Sequence, residues 1–220
     1  MNYDLIIFDC DGVLVDSETI GNRVIAEIIR EHGHDMSTGQ ALATFRGRQM
    51  AECMEIIAGL LQQELPKDFL DAMRARMGAA LEAEVLAIEG IGEVLDAIST
   101  PVCVASSGPV AKIRMTLGRT GLLPRFEGRL FSSYDIGSWK PAPDLFLHAA
   151  RTLGADPARC AVVEDSIHGV RAGLAAGMTV FGFAMGDDAA LFATEGARVF
   201  GRMQELPALL SANGKSRSAS

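Results

Sequence analysis

Leu5-Ile6-Ile7-Phe8-Asp9-Cys10-Asp11-Gly12 runs four apolar residues straight into two aspartates and a glycine. An unbroken apolar run of this length, bounded by acids and a glycine, suits a strand buried on both faces of a parallel sheet. Ligands of such sheets bind at the carboxyl ends of the strands, which is where Asp9 and Asp11 fall. Two carboxylates one residue apart repel each other unless a cation lies between them. Mg²⁺ fills that role with carboxylate and carbonyl oxygens in octahedral geometry. Gly12 lets the chain leave the strand sharply. Taken alone, the same residues also fit a turn with two surface acids.

Outward from this stretch the pattern repeats. Apolar runs at 102–105, 161–163 and Thr179–Phe183 predict further strands, with a last one at Arg198–Phe200. Amphipathic stretches at 90–99, 109–120, 143–154, 166–176 and 204–211 predict the helices between and after them. The alternation implies an α/β fold with an open, Rossmann-like parallel sheet and right-handed crossovers. Residues 17–86 break it. They hold helical patterns near 17–33, 38–44, 49–64 and 66–86 and no strand. Seventy residues is far longer than a βα connection, so the expectation is an inserted α-helical subdomain, the alternative being helices that cover one sheet face. The expected organisation is a core of 1–16 and 88–213, a helical cap of 17–87, and a frayed polar tail of 214–220.

The 220 residues carry a net charge of −8, with 49% hydrophobic and 22% charged residues. At this length folding buries roughly 70% of the unfolded chain's surface, so no disulfide or metal staple is required. The negative charge argues against nucleic acid or an anionic membrane as partner. No apolar stretch reaches the ~20 residues of a membrane span, and the N-terminus lacks a basic region ahead of its apolar run. A soluble, cytoplasmic monomer is expected. Cys10, Cys53, Cys103 and Cys160 match no zinc spacing and read as free, buried thiols.

Three further sets of residues stand at strand ends. The run 102–105 leads into Ser106-Ser107-Gly108, small donors suited to a phosphate oxygen. Lys140 precedes Pro141-Ala142-Pro143-Asp144, where prolines suit a helix start and an acid suits its dipole. The run 161–163 enters Glu164-Asp165-Ser166, a second acidic pair followed by an N-cap candidate. Each has a plain alternative: a turn, a solvated lysine, a capped helix. Their order along the chain, each at a strand end, favours one shared site.

These residues resemble the four motifs of haloacid-dehalogenase-type phosphatases: Asp9-Cys10-Asp11-Gly12 with the following Val13 to Glu18 the first, Ser106 the second, Lys140 the third and Glu164-Asp165 the fourth. The resemblance covers nearly the whole chain except the tail. Ile88-Glu89-Gly90, the residues from Pro101 to Pro109, and Ser133-Tyr134-Asp135-Ile136 through Trp139-Lys140-Pro141 are most similar to the branch of 6-phosphogluconate phosphatases, with β-phosphoglucomutases as neighbours. It implies a Mg²⁺-dependent phosphatase acting on a small phosphorylated metabolite, a sugar phosphate or a sugar-acid phosphate such as 6-phosphogluconate. Asp9 would be the nucleophile that forms an aspartyl-phosphate, and Asp11 the general acid and then base. Ser106, Ser107, Gly108 and Lys140 would hold the phosphoryl group. The metal ligands implied are the Asp9 side chain, the Asp11 carbonyl and Asp165, with Glu164 either a further ligand or a residue behind them. Arg46, Gly47 and Arg48 in the cap form the candidate substrate loop, able to grip a carboxylate or a second phosphate. The alternative is two exposed arginines beside a turn. Arg74, Arg76 and His168 read as solvent-facing, and Trp139 as structural.

The competing functions are a β-phosphoglucomutase-like phosphomutase, a dehalogenase, a receiver-like phospho-switch and a catalytically silent phospho-metabolite sensor. The mutase relatives carry a cap histidine where this chain has Gly21. Asp11 speaks against the dehalogenase, which has no leaving group to protonate. The helical insert speaks against the receiver.

Overall fold

The computed structural model describes residues 3–46, 48 and 50–212. Six strands form one parallel sheet: β1 (Leu5–Phe8), β2 (Val102–Ser106), β3 (Leu130–Ser132), β4 (Cys160–Glu164), β5 (Thr179–Phe183) and β6 (Arg198–Phe200). Their order across the sheet is β3-β2-β1-β4-β5-β6. The chain works outward from β1 in one direction and then resumes from β1 in the other. That makes the carboxyl end of β1, beside β4, the topological switch point where such sheets open a crevice.

Every residue of β1 and of β4 is buried, as continuous apolar runs demand in a sheet covered on both faces. Leu5, Ile7, Cys103, Ala105, Leu145, Phe146 and Val162 belong to one core cluster. Phe8 points to the other face, where it meets Phe126 edge-on. All four cysteines are buried and free. β3 and the helix after β5 are among the elements with no counterpart in the sequence pattern. β3 is three residues long and gains its register only by pairing with β2. A helix at Gly186–Glu195 follows β5 and ends on Gly196 in the left-handed region.

The chain divides into two compact units. Met1–Val15 with Ala87–Ser220 make up the sheet unit, and Asp16–Leu86 the other. The second holds α1 (Glu18–Glu31), α2 (Thr38–Phe45), α3 (Met50–Leu61) and α4 (Phe69–Glu84) around Val24, Ile25, Ile28, Ile29, Phe45, Ile57 and Met73. Ser37 opens α2 with a capping box, its hydroxyl accepting from Gln40 N–H. The tail residues 214–220 lie outside the described residues. Among the described residues, no helix is long and apolar enough to cross a membrane.

Candidate active site

Asp9 is the first residue past β1, and its N–H donates to the Val163 carbonyl of β4 at 3.0 Å. The chain then turns tightly. Leu14 N–H returns to the Cys10 carbonyl and Gly12 N–H to the Val15 carbonyl. Gly12 has φ +78°, and a Cβ on it would lie 2.0 Å from Asp165 Oδ2. So the turn needs glycine twice, for its backbone angle and for the approach of the Asp165 carboxylate just past β4.

Lys140 is buried beneath this turn. Its ammonium donates to Asp9 Oδ1 at 2.6 Å, to Glu164 Oε1 at 2.5 Å and to the Ala105 carbonyl at 3.1 Å. It also lies over the Phe146 ring, 4.9 Å from the centroid. Trp139 is not its packing partner: that indole is exposed and meets Tyr134 edge-on. Glu164 is fully buried, and its Oε2 accepts from the N–H groups of Asp165 and Ser166 and from the Ser166 hydroxyl. Its carboxylate sits so close to the helix Ile167–Ala175 that a Cβ on Gly169 would meet it at 1.9 Å.

These contacts set the charges. Burial pushes the Asp9 carboxyl up to about 7; Lys140 pulls the other way, while Glu164 and Asp11 add to the rise. Burial works against the Lys140 ammonium, but Asp9 and Glu164 outweigh it and hold it well above the ordinary lysine value.

Ser106 ends β2, buried, with its hydroxyl accepting from Gly108 N–H at 3.0 Å. Ser132, its register partner on β3, donates to the Gly108 carbonyl at 2.7 Å and so holds the turn from the other side. Ser107 is exposed at its tip. One residue absent from the sequence reading joins here. Lys112, in the first turn of the helix Val110–Arg119, donates from Nζ to Asp11 Oδ1 at 2.8 Å. The only signal available was a lysine six residues beyond Ser106, and its reach depends on a helix direction that periodicity does not report.

Asp9, Glu164 and Asp165 each offer a ligand oxygen within 4.8 Å of the others. Formally, the four carboxylates Asp9, Asp11, Glu164 and Asp165 face two ammonium groups, Lys112 and Lys140. An all-oxygen donor set of carboxylates suits a hard ion such as Mg²⁺. The residues present therefore fit a divalent metal.

Arg46 and Arg48 belong to the helical unit. Arg46 Nε pairs with Glu18 Oε2 at 2.7 Å, and Arg48 pairs with Glu52 and donates to the Thr44 carbonyl. Both are exposed. Gly47, between them, lies outside the described residues. Arg74 and Arg76 are exposed, Arg76 pairing with Glu31. His168 departs from expectation: it is half-buried, and its Nδ1 is enclosed without a hydrogen-bond partner among the described residues. Gly21 is buried in α1, where a Cβ would lie 3.1 Å from Met77 Cε.

The profile of the haloacid dehalogenase-like hydrolases matches residues 3–177. The chain is 34% identical over 212 residues to the 6-phosphogluconate phosphatase of Escherichia coli (strain K12), covering 96% of each. A haloacid dehalogenase-like protein of Agrobacterium tumefaciens str. C58 superposes with a TM-score of 0.87 at 36% identity, over 97% of this chain and 100% of that one. A HAD family hydrolase of Deinococcus radiodurans R1, solved with bound phosphate and sodium, superposes with a TM-score of 0.83 at 34% identity over 99% of each chain.

Proposed function

The chain belongs to the haloacid dehalogenase-like hydrolases and is a phosphatase, and from that premise we propose that it hydrolyses a phosphorylated sugar acid of the 6-phosphogluconate kind with Mg²⁺ bound. The observation that carries the chemistry is Asp9 at the switch point, its carboxylate fixed by Lys140 beside the acidic residues of β4. Asp9 attacks phosphorus, the P–O bond to the alcohol breaks, and the phosphoryl group rests on Asp9 as an acyl phosphate. Asp11 gives its proton to the departing oxygen, then takes one from the water that attacks the acyl phosphate and frees inorganic phosphate. Ser106 and the N–H groups of its turn bind phosphoryl oxygens. Lys140 offsets the charge spread over the transferring group.

The Asp9 side chain, the Asp11 carbonyl and Asp165 would hold the metal. When bound it offsets the repulsion between a carboxylate nucleophile and a phosphate dianion. Glu164 has another part: with both oxygens engaged by Lys140 and by three donors of its own turn, it holds Lys140 in place.

The sugar-acid reading rests on the likeness to the E. coli enzyme and on Arg46 and Arg48, which would exchange their glutamate partners for the substrate carboxylate. Hydrolysis is favoured over phosphomutase chemistry because the chain carries Gly21 where the mutase relatives carry a histidine, so this position offers no side chain to retain an intermediate. The test is phosphate release from a panel of phosphorylated sugars and sugar acids, with Mg²⁺ and with EDTA. Metal-dependent release with a sugar acid preferred supports the reading. Release indifferent to EDTA, or a preference for neutral sugar phosphates, contradicts it.

A further inference from the structure

Lys112 lies outside the residues assigned so far, yet its ammonium is 2.8 Å from the Asp11 carboxylate. Its side chain is about one-third exposed, at 33% against 25% for Asp11, so neither group is sealed in the core. Three groups converge around Gly108. From the position a Cβ there would take, Lys112 Cδ and Ser106 Oγ are each 3.5 Å away and Asp11 Oδ2 is 3.8 Å away. The lysine stem, the phosphoryl-binding hydroxyl and the second oxygen of Asp11 thus share one small space. The backbone under it is fixed by Ser132, which holds the Gly108 carbonyl, and by Pro109, whose carbonyl accepts from Lys112 N–H at 2.9 Å.

We infer that Lys112 is a positioning residue for Asp11, holding one carboxylate oxygen so that the other is aimed at the leaving oxygen of the substrate. The inference rests on the assignment of Asp11 as the group that protonates that oxygen. In the step concerned, the bond from phosphorus to Asp9 forms, the bond to the leaving oxygen breaks, and the Asp11 proton moves to that oxygen. The products are a neutral alcohol and an Asp11 carboxylate still paired with Lys112. A carboxylate swings freely about its Cα–Cβ and Cβ–Cγ bonds unless something holds it, and misplacing a reacting group by about 1 Å costs up to ~10²-fold in rate. Lys112 supplies one such hold, and supplies it from a helix.

The leaving group separates this role from others. A sugar alkoxide cannot depart without a proton, whereas p-nitrophenolate can. The parameter to read is kcat/KM, which covers the steps through loss of the alcohol and excludes hydrolysis of the acyl phosphate. Wild type, Lys112→Met, Lys112→Arg and Asp11→Asn are compared on the best sugar phosphate of the panel and on p-nitrophenyl phosphate, with Mg²⁺ present. For Lys112→Met the expected loss is about 10–100-fold on the sugar phosphate and under about threefold on p-nitrophenyl phosphate, within the range of a general-acid contribution. Lys112→Arg is expected to recover most of the loss, because it keeps a donor cation. A thermal unfolding midpoint near that of wild type excludes a folding defect, and if Lys112→Met unfolds, Lys112→Gln takes its place. Equal losses on both substrates overturn the inference and make Lys112 a phosphoryl contact, and no loss on either overturns it too. If Asp11→Asn shows the split and Lys112→Met does not, only this inference fails. If Asp11→Asn shows none, the general-acid reading fails and this inference with it.

Discussion

The Lys140 ammonium donates to the Asp9 carboxylate at 2.6 Å while also donating to Glu164 at 2.5 Å, so one buried cation serves two strands. Removing it leaves two buried carboxylates facing each other. Lys140→Met is expected to lose activity and to lower stability by about 3–5 kcal/mol, the cost of breaking a buried ion pair from one side. Chemical denaturation with phosphate release as the second readout checks both. A variant as stable as wild type at pH 8 in EDTA contradicts the pairing.

Glu164 and Asp165 are neighbours with different duties. Glu164→Gln should lower kcat by roughly 10–100-fold through a misplaced Lys140, with the Mg²⁺ requirement little changed. Asp165→Asn should raise the Mg²⁺ concentration needed for half activity by a similar factor. A Mg²⁺ titration of each variant decides, and a large shift for Glu164→Gln would make that residue a metal ligand.

The elevated Asp9 carboxyl has a sign that can be checked. Without metal the folded chain keeps the Asp9 proton up to about pH 7, whereas the unfolded chain releases it near 3.8. The folded state therefore binds the extra proton between those values, and stability from this group is lost as pH rises through them. Asp9→Asn removes that loss. In EDTA the variant should gain stability over wild type at pH 8 and gain little at pH 4, the difference reaching at most about 4 kcal/mol. Thermal unfolding at the two pH values measures it, and an equal effect at both contradicts it.

Gly12 meets two constraints at once, φ +78° and a carboxylate 2.0 Å from where a Cβ would stand. Gly12→Ala should cost about 1–2 kcal/mol for the left-handed backbone and displace Asp165 as well. The apparent Mg²⁺ affinity is then expected to fall more than stability alone explains, a comparison that titration and unfolding of the same variant provide.

Much of this was legible because burial on both faces writes itself into the sequence. β1, β2 and β4 are apolar runs that end in polar residues, and Asp9, Ser106, Glu164 and Asp165 stand at or just past those ends. β3 was not legible: Leu130-Phe131-Ser132 is too short for a pattern and is defined by its pairing with β2. The helix Gly186–Glu195 escaped because alanines, acids and threonine leave it without a marked apolar stripe. Lys112 escaped for a different reason. Its importance is a contact across 101 positions of sequence, and neither spacing nor composition records such a contact. The burial of His168 was hidden likewise, since a first-turn helix position does not say which neighbours enclose it.

In the proposed reaction the phosphoryl group passes through Asp9. A single turnover with enzyme in excess, quenched in acid, digested and treated with borohydride, tests it most directly. The expected product is a phosphorylated peptide containing Asp9, converted by the reductant to homoserine at that position and absent from Asp9→Asn. Phosphate released in that turnover with no labelled peptide, or label on a different residue, would contradict it.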